Sequence, residues 1–172
     1  MFLSNGGCDP LEETAEAMAS ILGGGNSRFY WQIEQQGIAP DVSVWRIDYE
    51  DCGVMVLAGE CDPEKCEQLA DAMHAEAVKL TREGALPEEV QRVKNHRRTS
   101  LALESESPYY RLGQILDDVD YRGGPRTVQQ RLAEVDAVSV ESIAEYLDKY
   151  PITEGGHFIS VGPRDWVPAG GA

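Results

Sequence analysis

The chain has 172 residues, of which 42% are hydrophobic and 26% are charged, and its formal net charge is −15 at pH 7. These proportions predict a globular domain with its own core rather than a disordered segment. The negative charge opposes binding to nucleic-acid phosphates and to anionic lipid, so neither nucleic acid nor membrane is expected as a partner. No apolar run approaches the ~20 residues of a membrane helix.

The start of the chain lacks the basic residues and the long apolar core of a secretory signal. The sequence therefore leaves the localisation open, because a bacterial cytoplasmic or periplasmic setting would both fit this composition. Residues 1–172 are expected to form a single domain, in which residues 164–172 are a loose tail.

Two helices are predicted in the N-terminal part. Asp9-Pro10 is typical of a helix start, and apolar residues at helical spacing follow it. The triple glycine Gly23–Gly25 ends this first helix. Asn26 or Ser27 can then cap a second, short helix that stops near Gly37.

Two strands are predicted next, over residues 42–49 and 54–58, joined by a short turn as an antiparallel hairpin. The alternation places Trp45, Ile47 and Tyr49 on one face of the first strand and Arg46 and Asp48 on the opposite face. Trp45 is expected in the core or in an interface.

The rest of the chain is predicted to be mainly helical. Helix starts are indicated at Pro63, Pro87, Ser107-Pro108, Thr127 and Ser139. The helix after Pro108 carries an apolar stripe of Leu112, Ile115, Leu116 and Val119. Residues 156–161 are predicted as a closing strand. A hairpin, a helical run and one more strand indicate an α+β fold with a mostly antiparallel sheet packed against helices.

Neither the cysteines nor the histidines have the spacing of a metal site. The four cysteines are Cys8, Cys52, Cys61 and Cys66. We expect them to be buried or half-buried thiols, with a disulfide in an oxidising compartment as the alternative. Of the three histidines, His74 is expected to have a helix-surface or packing role, His96 to lie on a solvated helix face and His157 to open the last strand. No metal ligand and no catalytic residue is predicted on this chain.

Several segments in order resemble one known family. They are Ile21-Leu22-Gly23-Gly24-Gly25-Asn26-Ser27-Arg28, the Pro-Glu starts at Pro63 and Pro87, the helix within residues 135–150, and Val161-Gly162-Pro163. Together they are similar to the C-terminal, non-catalytic domain of insulinase/pitrilysin-type (inverzincin) zinc peptidases, over about residues 9–163.

The resemblance implies a LuxS/mitochondrial-processing-peptidase-like half domain, which here would lack the longer first strand of the family sheet. In this family a companion half holds zinc through an H-x-x-E-H motif, which this chain lacks. The implied partners are that zinc-bearing half, in cis or as a separate subunit, and a peptide substrate. The isolated chain is expected to be inactive, and its implied role is to bind substrate and close the chamber.

The resemblance also singles out candidate site residues. Gly24, Gly25, Asn26, Ser27 and Arg28 are expected to present donors to a peptide carbonyl or carboxylate. Glu34 and Pro40 stand where active relatives carry an arginine and a tyrosine, which removes a donor from each position. The alternatives remain a tight glycine connection, an Arg28 that pairs with a nearby acid, and a structural scaffold with no role in proteolysis.

Overall fold

The computed structural model describes residues 1–168, so the last four residues of the predicted tail lie outside the described part. In this part a small antiparallel sheet packs against a set of α-helices. No helix among residues 1–168 is long and apolar enough to cross a bilayer. The strands are β1 (Phe2–Ser4), β2 (Asp41–Asp48) and β3 (Gly53–Glu60). The α-helices are α1 (Glu12–Gly23), α2 (Cys66–Glu83), α3 (Pro87–Glu106), α4 (Pro108–Arg122), α5 (Val128–Ala137) and α6 (Val140–Lys149).

The α+β fold predicted from the sequence is confirmed. The sheet order is β1-β3-β2, with both pairs antiparallel. The predicted hairpin is β2–β3, and Asp41 pairs with Glu60 at its open end. A first strand is present in short form, since Phe2 pairs with Met55 and Ser4 with Gly53.

The predicted closing strand at residues 156–161 is wrong, because this segment forms no strand in the described structure. Only its beginning meets the sheet: the Met1 amino group donates to the His157 carbonyl at 2.9 Å, and the His157 N–H donates to the Met1 carbonyl at 2.8 Å. A strand needs a neighbour along its whole length to satisfy its backbone groups. From this contact, β1 runs in the direction away from residues 158–161. These residues therefore have no strand beside them with which to pair.

Helix α1 lies directly on β2 and fixes the centre of the core. Met18, Ile21 and Leu22 of α1 are fully buried, together with Met55 of β3. At the end of α1 the backbone of Gly23 approaches β2 so closely that a Cβ there would lie 2.3 Å from the Val44 nitrogen. The glycine is therefore required by the contact between helix and strand.

The inner face of β2 carries a fully buried arginine. The Arg46 side chain has no exposed surface, and its Nη1 donates to the Glu12 carbonyl at 2.9 Å. It also pairs with Asp48 and lies 3.6 Å from Glu16. Trp45, on the opposite face, is 43% exposed, so it is not part of the core.

An ion cluster around Asp118 fastens α4 to α5. The Asp118 carboxylate is buried and accepts from the Arg126 N–H at 2.8 Å, and it pairs with Arg126 and Arg131 at 2.7 Å each. Arg126 also pairs with Glu134 of α5 and, at 3.3 Å, with Glu12 of α1. The cluster therefore connects α1, α4 and α5 through pairs of opposite charges. Each buried charge of the cluster has an oppositely charged partner.

The apolar stripe on α4 does not face the core. Leu112, Leu116 and Val119 are 55%, 58% and 49% exposed, respectively, and Ile115 is half-buried. The ion cluster holds the helix by its polar side, because Asp118 rather than the stripe points inward. The helical spacing was predicted correctly, but the buried side of the helix was not.

Substituting Gly23 by alanine tests the contact between α1 and β2. Helix propensity alone would favour alanine by up to about 1 kcal/mol. The clash with the Val44 backbone outweighs this gain, so we expect Gly23→Ala to lower the free energy of unfolding by about 2 kcal/mol in urea titrations. Gly25→Ala is the matched control, because no atom lies within 4 Å of its added Cβ. It should change stability by less than about 0.5 kcal/mol, and equal effects of the two variants would contradict the contact.

The Asp118 cluster should make stability depend on pH. Desolvation raises the pKa of Asp118, but hydrogen bonds from Arg126 and Arg131 outweigh it and hold the pKa below its ordinary value. A carboxyl of this kind stabilises the fold above its unfolded pKa of about 3.9 and loses that contribution as the pH falls through its folded pKa.

We therefore expect Asp118→Asn to cost about 3 kcal/mol at neutral pH, measured by urea unfolding, and to flatten the loss of stability below about pH 4. The exposed neighbour Asp117 provides the control. If Asp117→Asn changed the pH dependence of stability in the same way, the cluster would not be the source of that dependence.

Candidate functional site

The glycine loop predicted as a site connects α1 to a short π-helix, Tyr30–Glu34. The Gly24 N–H donates to the Ser20 carbonyl at 3.1 Å, and the Ser27 N–H donates to Gly24 at 3.0 Å. Ser27 is buried, and its hydroxyl accepts from the Tyr30 N–H at 3.1 Å. The N–H groups of Gly24 and Ser27 and the Ser27 hydroxyl therefore serve the fold rather than pointing at a ligand.

Arg28 is held by an ion pair inside the domain. Its Nε and Nη2 each donate to Glu89 of α3 at 2.8 Å, and Nη2 also donates to the Gly84 carbonyl at 2.9 Å. Desolvation raises the pKa of Glu89, but the Arg28 hydrogen bonds and the Leu86 N–H outweigh it and lower that pKa. A bidentate ion pair of this kind is strong. Arg28 therefore has a partner inside the fold.

The loop nevertheless borders a groove. This groove, here called groove A, has a volume of 560 Å³ and is lined by Asn26, Arg28, Trp31, Glu76, Glu83 and Glu88, among others. Asn26 is exposed and has a positive φ of 56°, a conformation that asparagine tolerates better than most residues. Trp31 is 52% exposed and stacks edge-on against Tyr30 at 5.1 Å. Groove A therefore offers an indole face beside carboxylates.

Sequence reasoning missed Trp31, because a run of three aromatic residues is more often packing. Phe29 fits that expectation, since it is fully buried. Helical register is the feature of the sequence that separates Trp31 from its neighbours. Phe29 and Ile33 are four residues apart and both fully buried, whereas Trp31 lies between them on another side of the helix.

The two positions with altered residues lie together in a second groove. This groove, here called groove B, has a volume of 490 Å³ and is lined by Glu34, Gly37, Ala39, Pro40, Cys61 and Lys65, among others. Glu34 accepts from the Val42 N–H at 3.4 Å, and Lys65 donates to the Gly37 carbonyl at 2.8 Å. The π-helix, an element that is frequent at functional sites, ends at this groove.

The histidines and cysteines form no metal centre in the described part of the chain. Among residues 1–168 no group of three or more histidine, cysteine, aspartate or glutamate side chains could hold a metal ion. His74, His96 and His157 are all exposed. Cys61 and Cys66 are half-buried thiols, as predicted, but Cys8 and Cys52 are exposed, so that expectation is wrong for these two.

The outer face of the sheet is apolar and partly exposed in residues 1–168. Trp45 pairs with Val56, Ile47 with Val54, and Leu3 with Val54, and paired residues lie on the same face. Leu3, Trp45 and Ile47 are 66%, 43% and 42% exposed, whereas Val56 on the same face is buried. An apolar patch of this kind on a strongly charged chain indicates a protein interface.

The match to a family decides what this fold is. The sequence profile described as the peptidase M16 inactive domain matches residues 1–96, which is more than half of the chain. The chain belongs to this family. Its resemblance to the insulinase/pitrilysin-type zinc peptidases is thereby confirmed.

Individual relatives agree with this assignment. "Uncharacterized zinc protease YmxG" from Bacillus subtilis is 25% identical over 126 residues, which are 72% of this chain and 31% of that protein. The chain thus spans about a third of this relative's length.

Solved structures show the same fold. An inactive peptidase domain of a zinc protease from Bordetella parapertussis has a TM-score of 0.72 at 14% identity, with 86% of this chain and 81% of that chain covered. A protease from Helicobacter pylori has a TM-score of 0.75 at 14% identity, covering 87% of this chain and 37% of that chain. A chain of complex III2 from Candida albicans has a TM-score of 0.73 at 18% identity, with 87% and 38% covered.

The ion pair of Arg28 can be tested through its acid. We expect Glu89→Gln to lower the free energy of unfolding by about 2 kcal/mol at pH 7, because a charged hydrogen-bond acceptor is lost. Since the folded pKa of Glu89 is lowered, the difference from wild type should shrink as the pH falls through that pKa. Glu88→Gln, at an exposed neighbour, should leave stability within about 0.5 kcal/mol in the same urea titrations. A loss no larger than that of the control would mean that Arg28 is not held by this pair.

Proposed function

We propose that this chain is the non-catalytic half of an insulinase-like zinc metallopeptidase, which binds the peptide substrate and closes the chamber over zinc held by a companion half. The observation that carries the proposal is the set of exposed apolar side chains, Leu3, Trp45 and Ile47, on the outer face of the sheet in a chain of this family. The companion would supply the zinc and its H-x-x-E-H ligands, and this chain would supply surface and position.

The outer sheet face supports association with the companion half. Trp45 and Ile47 stand next to each other on the same face of β2, and aromatic residues are the commonest anchors of protein interfaces. Burying one such large side chain contributes about 2 kcal/mol. The hairpin is held rigidly by α1, so the face is formed before a partner binds.

Groove A supports a contact with the peptide. Exposed Trp31 offers a flat apolar surface. Glu76, Glu83 and Glu88 contribute negative charge to the groove, which Lys79 and Arg92 of the same lining partly offset. A basic peptide side chain would meet both an aromatic face and carboxylates there. Asn26, whose side chain is exposed at the loop, is the candidate residue that remains available to a peptide carbonyl.

A structural scaffold without a role in proteolysis is the second candidate. Two observations favour it: Ser27 and Arg28 make hydrogen bonds within the domain, and groove B holds Glu34 and Pro40 where active relatives have a donor. The two candidates differ in whether groove A contributes to turnover, and they share the sheet interface.

Reconstitution with the zinc-bearing half tests the proposal. The 172-residue chain and an H-x-x-E-H half domain from the same organism would be purified separately and mixed, and hydrolysis of a quenched fluorescent peptide would be followed. We expect activity only in the mixture and less than stoichiometric zinc in the isolated chain. Trp45→Ser/Ile47→Ser should weaken association at least about tenfold, since two anchors are lost. Unchanged association would remove the sheet face from the proposal.

Trp31→Ser separates substrate binding from scaffolding. If groove A contacts the peptide, this variant should keep full association with the companion half but raise KM about fivefold for a peptide with a lysine or arginine. A peptide with glutamine at the same position provides the matched substrate control. An unchanged KM for both peptides would favour the scaffold.

A further inference from the structure

Two cysteines lie together at the junction between β3 and α2. Cys61 directly follows β3, and Cys66 is the first residue of α2. The 3₁₀ turn Pro63–Lys65 folds the chain back between them, which brings their Sγ atoms to 3.9 Å. Both thiols are free, since a disulfide would need a separation of about 2.05 Å. A movement of about 2 Å would close the bond.

Both thiols can be reached by small molecules. Cys61 and Cys66 are half-buried, and Cys61 lines groove B beside Glu34 and Lys65. The other two cysteines lie elsewhere in the fold: Cys8 donates to the Tyr121 carbonyl, and Cys52 lies in the β2–β3 turn. Proximity therefore distinguishes the pair of Cys61 and Cys66, whereas accessibility alone does not.

We propose that Cys61 and Cys66 form a redox-active dithiol, which closes to an intrachain disulfide by exchange with a small-molecule disulfide such as oxidised glutathione. One cysteine thiolate attacks a sulfur of the small disulfide, breaks its S–S bond and releases one thiol. The second cysteine thiolate then attacks the protein-bound sulfur, forms the Sγ–Sγ bond and releases the second thiol. The pair loses two electrons and two protons, which the two released thiols carry away.

The surroundings of the pair indicate how the reaction responds to pH. Desolvation and the adjacent Cys66 raise the pKa of Cys61, so Cys61 is mostly a thiol at neutral pH. Because only the thiolate attacks, closure should become faster as the pH rises. Asp62 disfavours the thiolate, whereas Lys65 favours it, and Glu34 and Glu60 also line groove B beside Cys61.

The bond would act on groove B. It would close the turn between β3 and α2 covalently, and Lys65 of that turn donates to the Gly37 carbonyl on the opposite wall of the groove. Oxidation would thus fix one wall of groove B and withdraw the Cys61 thiol from its lining. This consequence requires only the described fold and no companion half.

Intact-mass analysis tests the proposal in the full chain. In a Cys8→Ser/Cys52→Ser background, only Cys61 and Cys66 remain, and the protein would be equilibrated in glutathione buffers of increasing oxidised fraction and quenched with acid. We expect both free thiols to disappear together with a loss of about 2 Da, which corresponds to two hydrogen atoms. Proteolysis should then yield one disulfide-linked product that contains both cysteines.

Single variants in the same background separate proximity from access. Adding Cys61→Ser leaves Cys66 alone, and adding Cys66→Ser leaves Cys61 alone; each should gain one stable glutathione adduct instead of losing mass. Stable adducts on the two-cysteine protein, or two thiols that stay free where the single variants react, would overturn the proposal. Circular dichroism of each variant before and after oxidation would show that the fold persists, a check needed most for Cys61→Ser because Cys61 packs against the core.

Discussion

The seating of α1 on the inner face of the β2–β3 hairpin is the contact on which the other features depend. Gly23 lets the helix end against the backbone of Val44, and Arg46 on the same strand reaches the helix start at Glu12. The helix is therefore fixed to one strand at both of its ends. Because the glycine loop leaves α1 at this point, the contact also sets where the π-helix and both grooves lie.

Several arginines of this acidic chain form ion pairs inside the fold. The sequence has 30 acidic residues against 15 lysines and arginines. Arg28, Arg46 and Arg126 are largely buried and are each paired with carboxylates. Because each pair combines a positive with a negative charge, these contacts leave the excess of acidic residues unchanged. A planar guanidinium suits this role because it can serve several acceptors at once.

The functional surfaces occupy different sides of the same frame. The outer sheet face lies opposite α1, groove A opens between the glycine loop and helices α2 and α3, and groove B opens where the π-helix meets the end of β3. The candidate site residues named from the family resemblance are divided among these sites. Ser27 and Arg28 hold the loop, Asn26 is exposed at groove A, and Glu34 and Pro40 lie in groove B.

Local signals in the sequence were sufficient for most of the elements. The helix start predicted at Thr127 forms through a capping box, in which the Gln130 N–H donates to the Thr127 hydroxyl at 3.1 Å. The hairpin and the helix starts at Pro87 and Pro108 also follow from proline, caps and periodicity. These features depend on a few neighbouring residues, which is why one sequence could predict them. The family resemblance rested on the same local segments.

Local signals in the sequence did not determine which side of each element is buried. Alternation separated Trp45 from Arg46 and periodicity defined the α4 stripe, but both patterns would favour burying the apolar side. Tertiary structure decided otherwise. Arg46 donates to the Glu12 carbonyl and pairs with Asp48, and Asp118 pairs with Arg126, so both polar sides are satisfied inside the domain. Tertiary structure also decided that residues 158–161 pair with no strand, and that Cys61 and Cys66 meet. The sequence by itself determined most of the elements and the family, whereas contacts between distant residues determined the buried faces, because burial depends on what packs against each side.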